Sequence, residues 1–455
     1  MLRLTSPQHD FWDYLLPPGV RAMSRELEAV DALLDDERFL DPFRARFLAR
    51  RGRRTIPMET YLRLMYLKVR YQLGYESLVA EVSDSVSWRR FCRISLSDAV
   101  PDASTLIKLT NGPCQGLAEE VHGALVQRLA EKKVLHARQL RVDTTVVEAD
   151  IRYPTDADLL ADGARVITRT MKRLQRGGLA AARPFRGAGP TIRKAILSLA
   201  KGLKQADDRR QVTRASVTAE VLGVVERLVR RVRKLRQDME PELTEQRVGV
   251  HRQVAQLDTW IARTERVIWQ THQVLGGNVH IKDRLVSLFD PDARPIRKGK
   301  LNIAGGTEFG YKVAVADEER GFVTAYAVYA GNPEDGTVLV PTVDRHIALL
   351  GTAPRAVATD RGMTSGGNER ALCDRGVVRC SLPKQGKKGP TENTRWFRRL
   401  QRFRAGGEAR ISLLKRQYGW RRSRLRGAQR TEAWVGWGVI THNLTRYARL
   451  EGLAA

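Results

Sequence analysis

Residues 135–156 read LHARQLRVDTTVVEADIRYPTD. From Leu140 to Val147 most positions are apolar or β-branched, the texture of a strand. Asp143 sits inside this run, although acidic residues are disfavoured in strands. The chain before residue 135 and after residue 160 has helical spacing instead, so this strand opens a different kind of structure.

Strand texture returns at EFGYKVAVADEERGFVTAYAVYAGNPEDG, residues 308–336. Tyr311 to Ala316 and Phe322 to Tyr329 read as two strands joined by the polar turn DEERG, a hairpin. DGTVLVPTVDRHIALLG (335–351) has helical spacing. RAVATDRGMTS (355–365) is a short apolar strand ending on Asp360, and VVRCSLPK (377–384) is another. After the basic loop KQGKKGPTENTR, two helices are expected in GGEARISLLKRQYG (406–419) and TEAWVGWGVITHNLTRYARL (431–450). Setting aside the helical stretch after residue 160, the order is three strands, helix, strand, strand, helix. This is the order of an RNase H-like domain: α/β, with a mixed five-stranded sheet and flanking helices. Its first and fourth strands lie side by side and parallel. Asp143 and Asp360 are then expected at one sheet edge, with Glu408 added from a helix packed over it.

Singly, each acid has an ordinary explanation. Asp143 can be a polar residue on a half-exposed strand, Asp360 a turn former, and Glu408 a helix residue favoured by the dipole. Together, in this order, they suit phosphoryl transfer. Two Mg²⁺ ions roughly 4 Å apart can activate an attacking oxygen and stabilise a departing one. Mg²⁺ takes hard oxygen ligands and keeps several waters, so two or three carboxylates suffice. Glu392 is a rival third acid, but its context GPTENTR reads as loop, whereas Glu408 lies in an amphipathic helix. Lys415, seven residues after Glu408, shares its helix face with Ser412.

The charge balance points the same way. Lys and Arg number 79 against 51 Asp and Glu, a net charge of +28. Such an excess opposes compaction and suits a polyanion, whose counterions are released on binding. Arg402, Arg404, Lys415, Arg416, Arg421 and Arg422 are expected to hold DNA phosphates. Trp396 and Trp420 are candidates for stacking on a displaced base, with core packing the commoner role. Cys92, Cys114, Cys373 and Cys380 form no CxxC pair and the histidines are scattered, so no zinc site is expected.

Towards the N-terminus, ELEAVDALLDD and FRARFLARRG read as short helices. IPMETYLRLMYLKVRYQLGYESLVAEVSDSVSWRRFCRI follows, with Pro57 at a helix start and Gly74 at a break. With VPDASTLIKLTNG, where Asp102 or Ser104 is placed to cap, this is a helical region of helix-turn-helix type, with Arg89 and Arg90 as candidate DNA contacts. Residues from Ala161 to about Leu275 are helical and basic, interrupted by Gly177, Gly178, Gly187 and Gly189. The expected division is an N-terminal helical DNA-binding and dimerisation domain over 1–134, a catalytic domain over 135–160 and 301–455, and a basic helical insertion over 161–300. No apolar run spans a bilayer and no secretory signal pattern opens the chain, so a cytoplasmic location is expected, on the nucleoid when DNA is bound.

Several of these stretches resemble the DDE transposases of bacterial insertion sequences, close to the group called ISNCY. They are LRVDTTVVEADIRYP, FDPDARPIRKGK with EFGYKVAVA, VATDRGMTS, and RAGGEARISLLKRQYGWRRSRLRG followed by WVGWGVITHNL. PMETYLRLMYLKVRYQLGYESL with PDASTL resembles their helical entry domain. Glu408 and Lys415 match the family's Glu-then-Lys/Arg signature. The resemblance implies Mg²⁺ dependence, with Mn²⁺ as a substitute, and action on terminal inverted repeats. The expected partners are double-stranded DNA, both repeat ends and target, and a second copy of the chain on that DNA. A nuclease that cuts without joining and a non-catalytic DNA-binding derivative are the alternatives. In the family layout many inserts fall between the second Asp and the Glu. Here Asp143 and Asp360 stand 217 positions apart, while Asp360 and Glu408 stand 48 apart.

Overall fold

A computed structural model describes residues 2–5, 15–47, 54–182, 185–202, 207–244, 246–297, 306–384, 386 and 389–454. The chain divides into two compact units: Met1–Asp150 with Gly310–Ala455, and Ile151–Phe309. Among the described residues the strands are β1 Gln139–Glu148, β2 Arg294–Arg297, β3 Thr307–Glu318, β4 Val323–Tyr329, β5 Ala356–Ala358 and β6 Arg379–Ser381. No helix among the described residues is long and apolar enough to cross a membrane.

The first unit begins with helices α1 Arg25–Leu34, α2 Met58–Arg70, α3 Tyr75–Asp84, α4 Val86–Phe91, α5 Ala103–Asn111 and α6 Leu117–Glu131. Ser24 caps α1 by accepting from the Leu27 N–H. Helix α2 is buried on nearly every side, which makes it the centre of this region. Its Arg63 is wholly buried, donating to Asp31 at 2.9 Å and Asp35 at 2.6 Å, with Glu59 at 3.8 Å. Arg93 joins the same acids. The second short helix expected here is a single turn, Asp41–Arg44; the part of FRARFLARRG from residue 48 to 53 lies outside the described residues.

In the second unit, α7 Asp156–Arg176, α8 Gly189–Gly202, α9 Asp207–Asp238 and α10 Val248–Leu275 pack together. Their shared core holds Leu160, Ile167, Met171, Val221, Val225, Leu257 and Val267. Gly163 lets α7 and α10 approach: a Cβ there would lie 2.6 Å from Thr264. This unit also contains β2, a strand the pattern reading did not anticipate.

Beyond it come α11 Asp335–Leu350, α12 Gly366–Asp374, α13 Arg395–Gln417 and α14 Ala428–Ala454. Within the first unit the strand order is β4-β3-β1-β5-β6. β1 runs antiparallel to β3 and parallel to β5, and β5 is parallel to β6. This mixed five-stranded sheet with helices on both faces is the expected RNase H-like fold. Strand alternation sorts its side chains. Leu140, Val142, Ala314 and Val357 pack with Val338, Leu339 and Val343 of α11. Val147, Val313 and Val315 pack with Leu414 of α13 and Val435 and Val439 of α14. Helix α14 also enters the core of the N-terminal helices through Trp437, Ile440 and Leu444, so those helices and the sheet share one unit.

Two further elements differ from expectation. Helix α12 lies between β5 and β6, where only a connection was expected; its short apolar content hid it. Helix α13 starts at Arg395, eleven residues before the expected start at Gly406. Glycines normally lower helix stability, but here both sit in mid-helix.

Candidate active site

The parallel pairing of β1 with β5 sets the geometry. Gln139 lies opposite Ala356, Leu140 opposite Val357 and Arg141 opposite Ala358. Asp143 and Asp360 each lie two residues further on. Equal offsets on adjacent parallel strands, about 4.8 Å apart, bring both to one face at the end of the pairing. That face is the α13 side, where Ala356 and Ala358 pack against Leu400 beside Trp396 and Phe403. Beyond Ala358 the chain leaves the sheet: Asp360 accepts a hydrogen bond from the Gly362 N–H at 3.1 Å and caps the turn Arg361–Met363.

Helix α13 lies over this edge because its glycines permit it. The Arg141 side chain stands between sheet and helix, donating to Asp317 through Nε at 2.7 Å and to the Phe403 carbonyl at 2.9 Å. A Cβ on Gly406 would lie 2.6 Å from the Arg141 guanidinium, and one on Gly407 would lie 3.3 Å from its Cδ. Arg410, one turn on, also donates to Asp317, at 3.2 Å. Gln401 ties the same helix to the strand ends, donating to the carbonyl of Ser381 at 3.0 Å and of Thr359 at 3.3 Å.

Glu408 follows the two glycines directly. Its side chain is 63% exposed, against 16% for Asp143. Between them lies the Arg404 guanidinium, 3.8 Å from Asp143 and 3.6 Å from Glu408. Burial, with the neighbouring Asp360 charge second, pushes the Asp143 carboxyl up to about 6; the Thr144 N–H and Arg404 pull it down. The nearby Asp360 charge thus disfavours ionisation of Asp143, a repulsion that a cation between the two would relieve. Among the described residues no three His, Cys, Asp or Glu side chains are gathered closely enough to hold a metal ion as they stand. Arg404 instead supplies the positive charge between Asp143 and Glu408. The oxygen-only donor set fits a hard divalent cation.

Beside Asp360 opens a cleft of about 540 Å³, lined by Arg361, Pro383, Glu392, Phe397, Arg398, Gln401 and Arg404 among others. Glu392 is in a 3-10 turn, Pro390–Asn393, rather than in plain loop. Its carboxylate accepts from the backbone N–H groups of Lys384 and Gly389, bracing the loop before α13; positions 385, 387 and 388 of that loop lie outside the described residues.

Of the expected DNA contacts, Arg402 and Arg416 are exposed on α13 and Lys415 is half-buried there. Arg421 and Arg422 follow the helix and are exposed, Arg422 paired with Glu148 at 2.8 Å. Arg89 donates to the carbonyls of Ser83, Ser95 and Asp98, and Arg90 to that of Arg21. Trp420 is wholly buried, its indole N–H donating to the Val435 carbonyl, which excludes it as a base-stacking platform as placed. Trp396 packs edge-on to Phe397. All four cysteines are free. Gln401, Asp317 and Asp335 also position the site, though no motif marks them in the sequence; Asp335 accepts from Lys312 at 2.9 Å and from the Thr144 hydroxyl at 3.1 Å, next to Asp143. An acid at the start of a helix, as Asp335 is, carries no sign of the strand it will meet.

A mixed sheet of this order, with Asp143 and Asp360 at the end of adjacent parallel strands, fits a nuclease- or transposase-type enzyme. Two family models match the chain: a transposase domain (DUF772) over residues 18–111 and a transposase DDE domain over 283–444. The chain belongs to the DDE transposases of insertion sequences. Enzymes of that family act on DNA and generally use divalent metal ions. Asp360 and Glu408 fall within the matched DDE range; Asp143 falls outside both ranges. No solved structure matches the chain.

Proposed function

We propose that the protein cuts DNA at the inverted-repeat ends of an insertion sequence and joins the released 3′ ends to target DNA, with Asp143, Asp360 and Glu408 as the acidic triad. The observation that carries this is the equal offset of Asp143 and Asp360 on parallel β1 and β5, with α13 crossing the same edge. The three carboxylates would hold divalent cations, two Mg²⁺ with Mn²⁺ as a substitute. When bound, these lower the pKa of the attacking water or hydroxyl and stabilise the leaving oxygen.

The chain's own residues do the rest. Asp143 and Asp360 are held by the sheet and by a tight turn, so little reorganisation is needed at the moment of reaction. Glu408, the exposed member, is free to adjust as the site fills, and Arg404 is placed to release the carboxylates and turn to a substrate phosphate. Arg402, Lys415, Arg416, Arg421 and Arg422 would hold the backbone on either side, Lys415 as a point charge and the arginines as forks. Arg89 and Arg90 are proposed as contacts only after exchange of their carbonyl partners. The proposed division keeps 1–134 as the DNA-binding and dimerisation region, 135–160 with 301–455 as the catalytic region and 161–300 as the insertion. Two DNA ends have to be brought together, so a homodimer on DNA is part of the proposal.

Incubating the protein and Mg²⁺ with labelled DNA bearing the element's own ends and an unlabelled plasmid tests the reaction. Label covalently joined to plasmid is the expected result. Cut ends that never join would replace transposition by a nuclease that only cleaves.

A further inference from the structure

Most of the second unit lies outside both matched family ranges, which leave residues 112–282 uncovered. Helix α7 is apolar along one side, where Leu160, Ala164, Ile167, Met171 and Leu174 are buried in the unit's core. At 100° per residue, Arg165, Arg169, Lys172, Arg173 and Arg176 fall within an arc of roughly 100° on the opposite side. All five are exposed. Arg165 pairs with Asp162. Arg169, Lys172, Arg173 and Arg176 have no side-chain partner among the described residues.

Two features separate this stripe from an ordinary solvated helix face. No Asp or Glu occurs between Arg165 and Arg176. Like charges three and four residues apart destabilise a helix. The dipole favours cations in the last turn, which covers Arg173 and Arg176 but not Arg169 and Lys172. The neighbouring helix shows the contrast. On α9, Arg233 pairs with Glu265 at 2.5 Å, and Arg236 with Asp258 at 2.9 Å and with Glu240. Those arginines brace α9 against its neighbours, whereas Arg169, Lys172, Arg173 and Arg176 of α7 face solvent without an acidic partner among the described residues.

We propose that the outer face of α7 is a sequence-independent contact for the backbone of duplex DNA. The stripe runs about 16 Å along the helix. Over that length one DNA strand presents about five phosphates, close to the number of cations available. Its composition selects the partner: α7 itself contributes no aromatic side chain to the stripe for stacking on single-stranded bases, and no apolar residue for insertion into a lipid surface. The proposal rests on the family's action on DNA but not on the identity of the acidic triad.

The test uses the full chain and a fluorescent duplex of random sequence, with anisotropy followed over a range of salt concentrations. In the variant carrying Arg169→Gln, Lys172→Gln, Arg173→Gln and Arg176→Gln, the slope of log affinity against log salt is expected to become shallower by about 3–4, near 0.9 per lost contact. Melting temperature is expected to stay at or slightly above the wild-type value. The comparison variant Arg233→Gln with Arg236→Gln is expected to melt lower and keep the wild-type slope. A four-site variant with unchanged slope overturns the proposal, as does an equal loss of slope in the α9 variant. Glu408→Gln, expected to bind as wild type does, separates this contact from the chemistry: its loss of cleavage leaves the α7 proposal standing. A wild-type chain that binds no duplex overturns both readings.

Discussion

Arg141 shows how one side chain can position a site it does not enter. Its guanidinium is clamped by Asp317 and by the Phe403 carbonyl, and Gly406 and Gly407 make room for it beneath α13. In an ordinary helix interior Gly→Ala gains about 1 kcal/mol. Here the new methyl meets a clamped guanidinium, so Gly406→Ala is expected to lower stability instead and to slow cleavage by displacing Glu408. Chemical denaturation and a cleavage time course measure the two effects; a stabilised, fully active Gly406→Ala would show that the close approach is unimportant. Asp143 was legible as a candidate because an acid inside an apolar strand is out of place, and Asp360 through its position in the order of strands that follows. The Arg141–Asp317 pair was not legible, since partners 176 residues apart meet only through the β1–β3 register.

At the scale of elements, α2 and its acids form a buried charge network. Removing Arg63 takes from buried Asp31 one of its two arginine partners, and from buried Glu59 the guanidinium 3.8 Å away. Arg63→Ala is expected to cost about 3–5 kcal/mol, readable as a large drop in the denaturation midpoint; a loss below about 1 kcal/mol would contradict the account. Buried histidines add a pH dependence. Burial lowers His122 and His346 to about 4 and His442 to about 3, with Arg410 also acting on His442. Their folded pKa values lie below the unfolded value of about 6.5. Their contribution is therefore complete above that pH and is lost as pH falls towards 4. Asp143, raised to about 6, acts oppositely, its contribution falling as pH rises from about 4 to 6. Melting temperature is expected to drop from pH 7 to pH 5 because three histidines outweigh one carboxylate. Selectively labelled histidine NMR should show three resonances that do not titrate above pH 5. Most elements were readable from period and punctuation: β1 and α11 nearly to the residue. α13 was misjudged because Gly406–Gly407 resembles a helix start, and its true role is set by a strand far away in sequence.

For the whole molecule, charge is the property most directly readable from sequence, and +28 anticipates a polyanionic partner. Its placement was not readable: several arginines expected on DNA are tied to carbonyls or carboxylates, while the α7 stripe emerges only once the buried side of that helix is known. The sharing of one unit by the N-terminal helices and the sheet was likewise hidden, because α14 supplies the shared core from the far end of the chain. Affinity for any duplex is expected to fall steeply with salt in the wild-type protein, as counterion release requires; a flat salt dependence would count against backbone contacts as the main source of binding.

The acidic triad is tested most directly by Mg²⁺-dependent cleavage of DNA carrying the element's own ends, run side by side with wild type, Glu408→Gln and Glu392→Gln. Wild type and Glu392→Gln are expected to cut, and Glu408→Gln to bind the same DNA with wild-type affinity without cutting it. Cleavage by Glu408→Gln at the wild-type rate, with loss of cleavage in Glu392→Gln, would contradict the triad and move the third acid to the cleft beside Asp360.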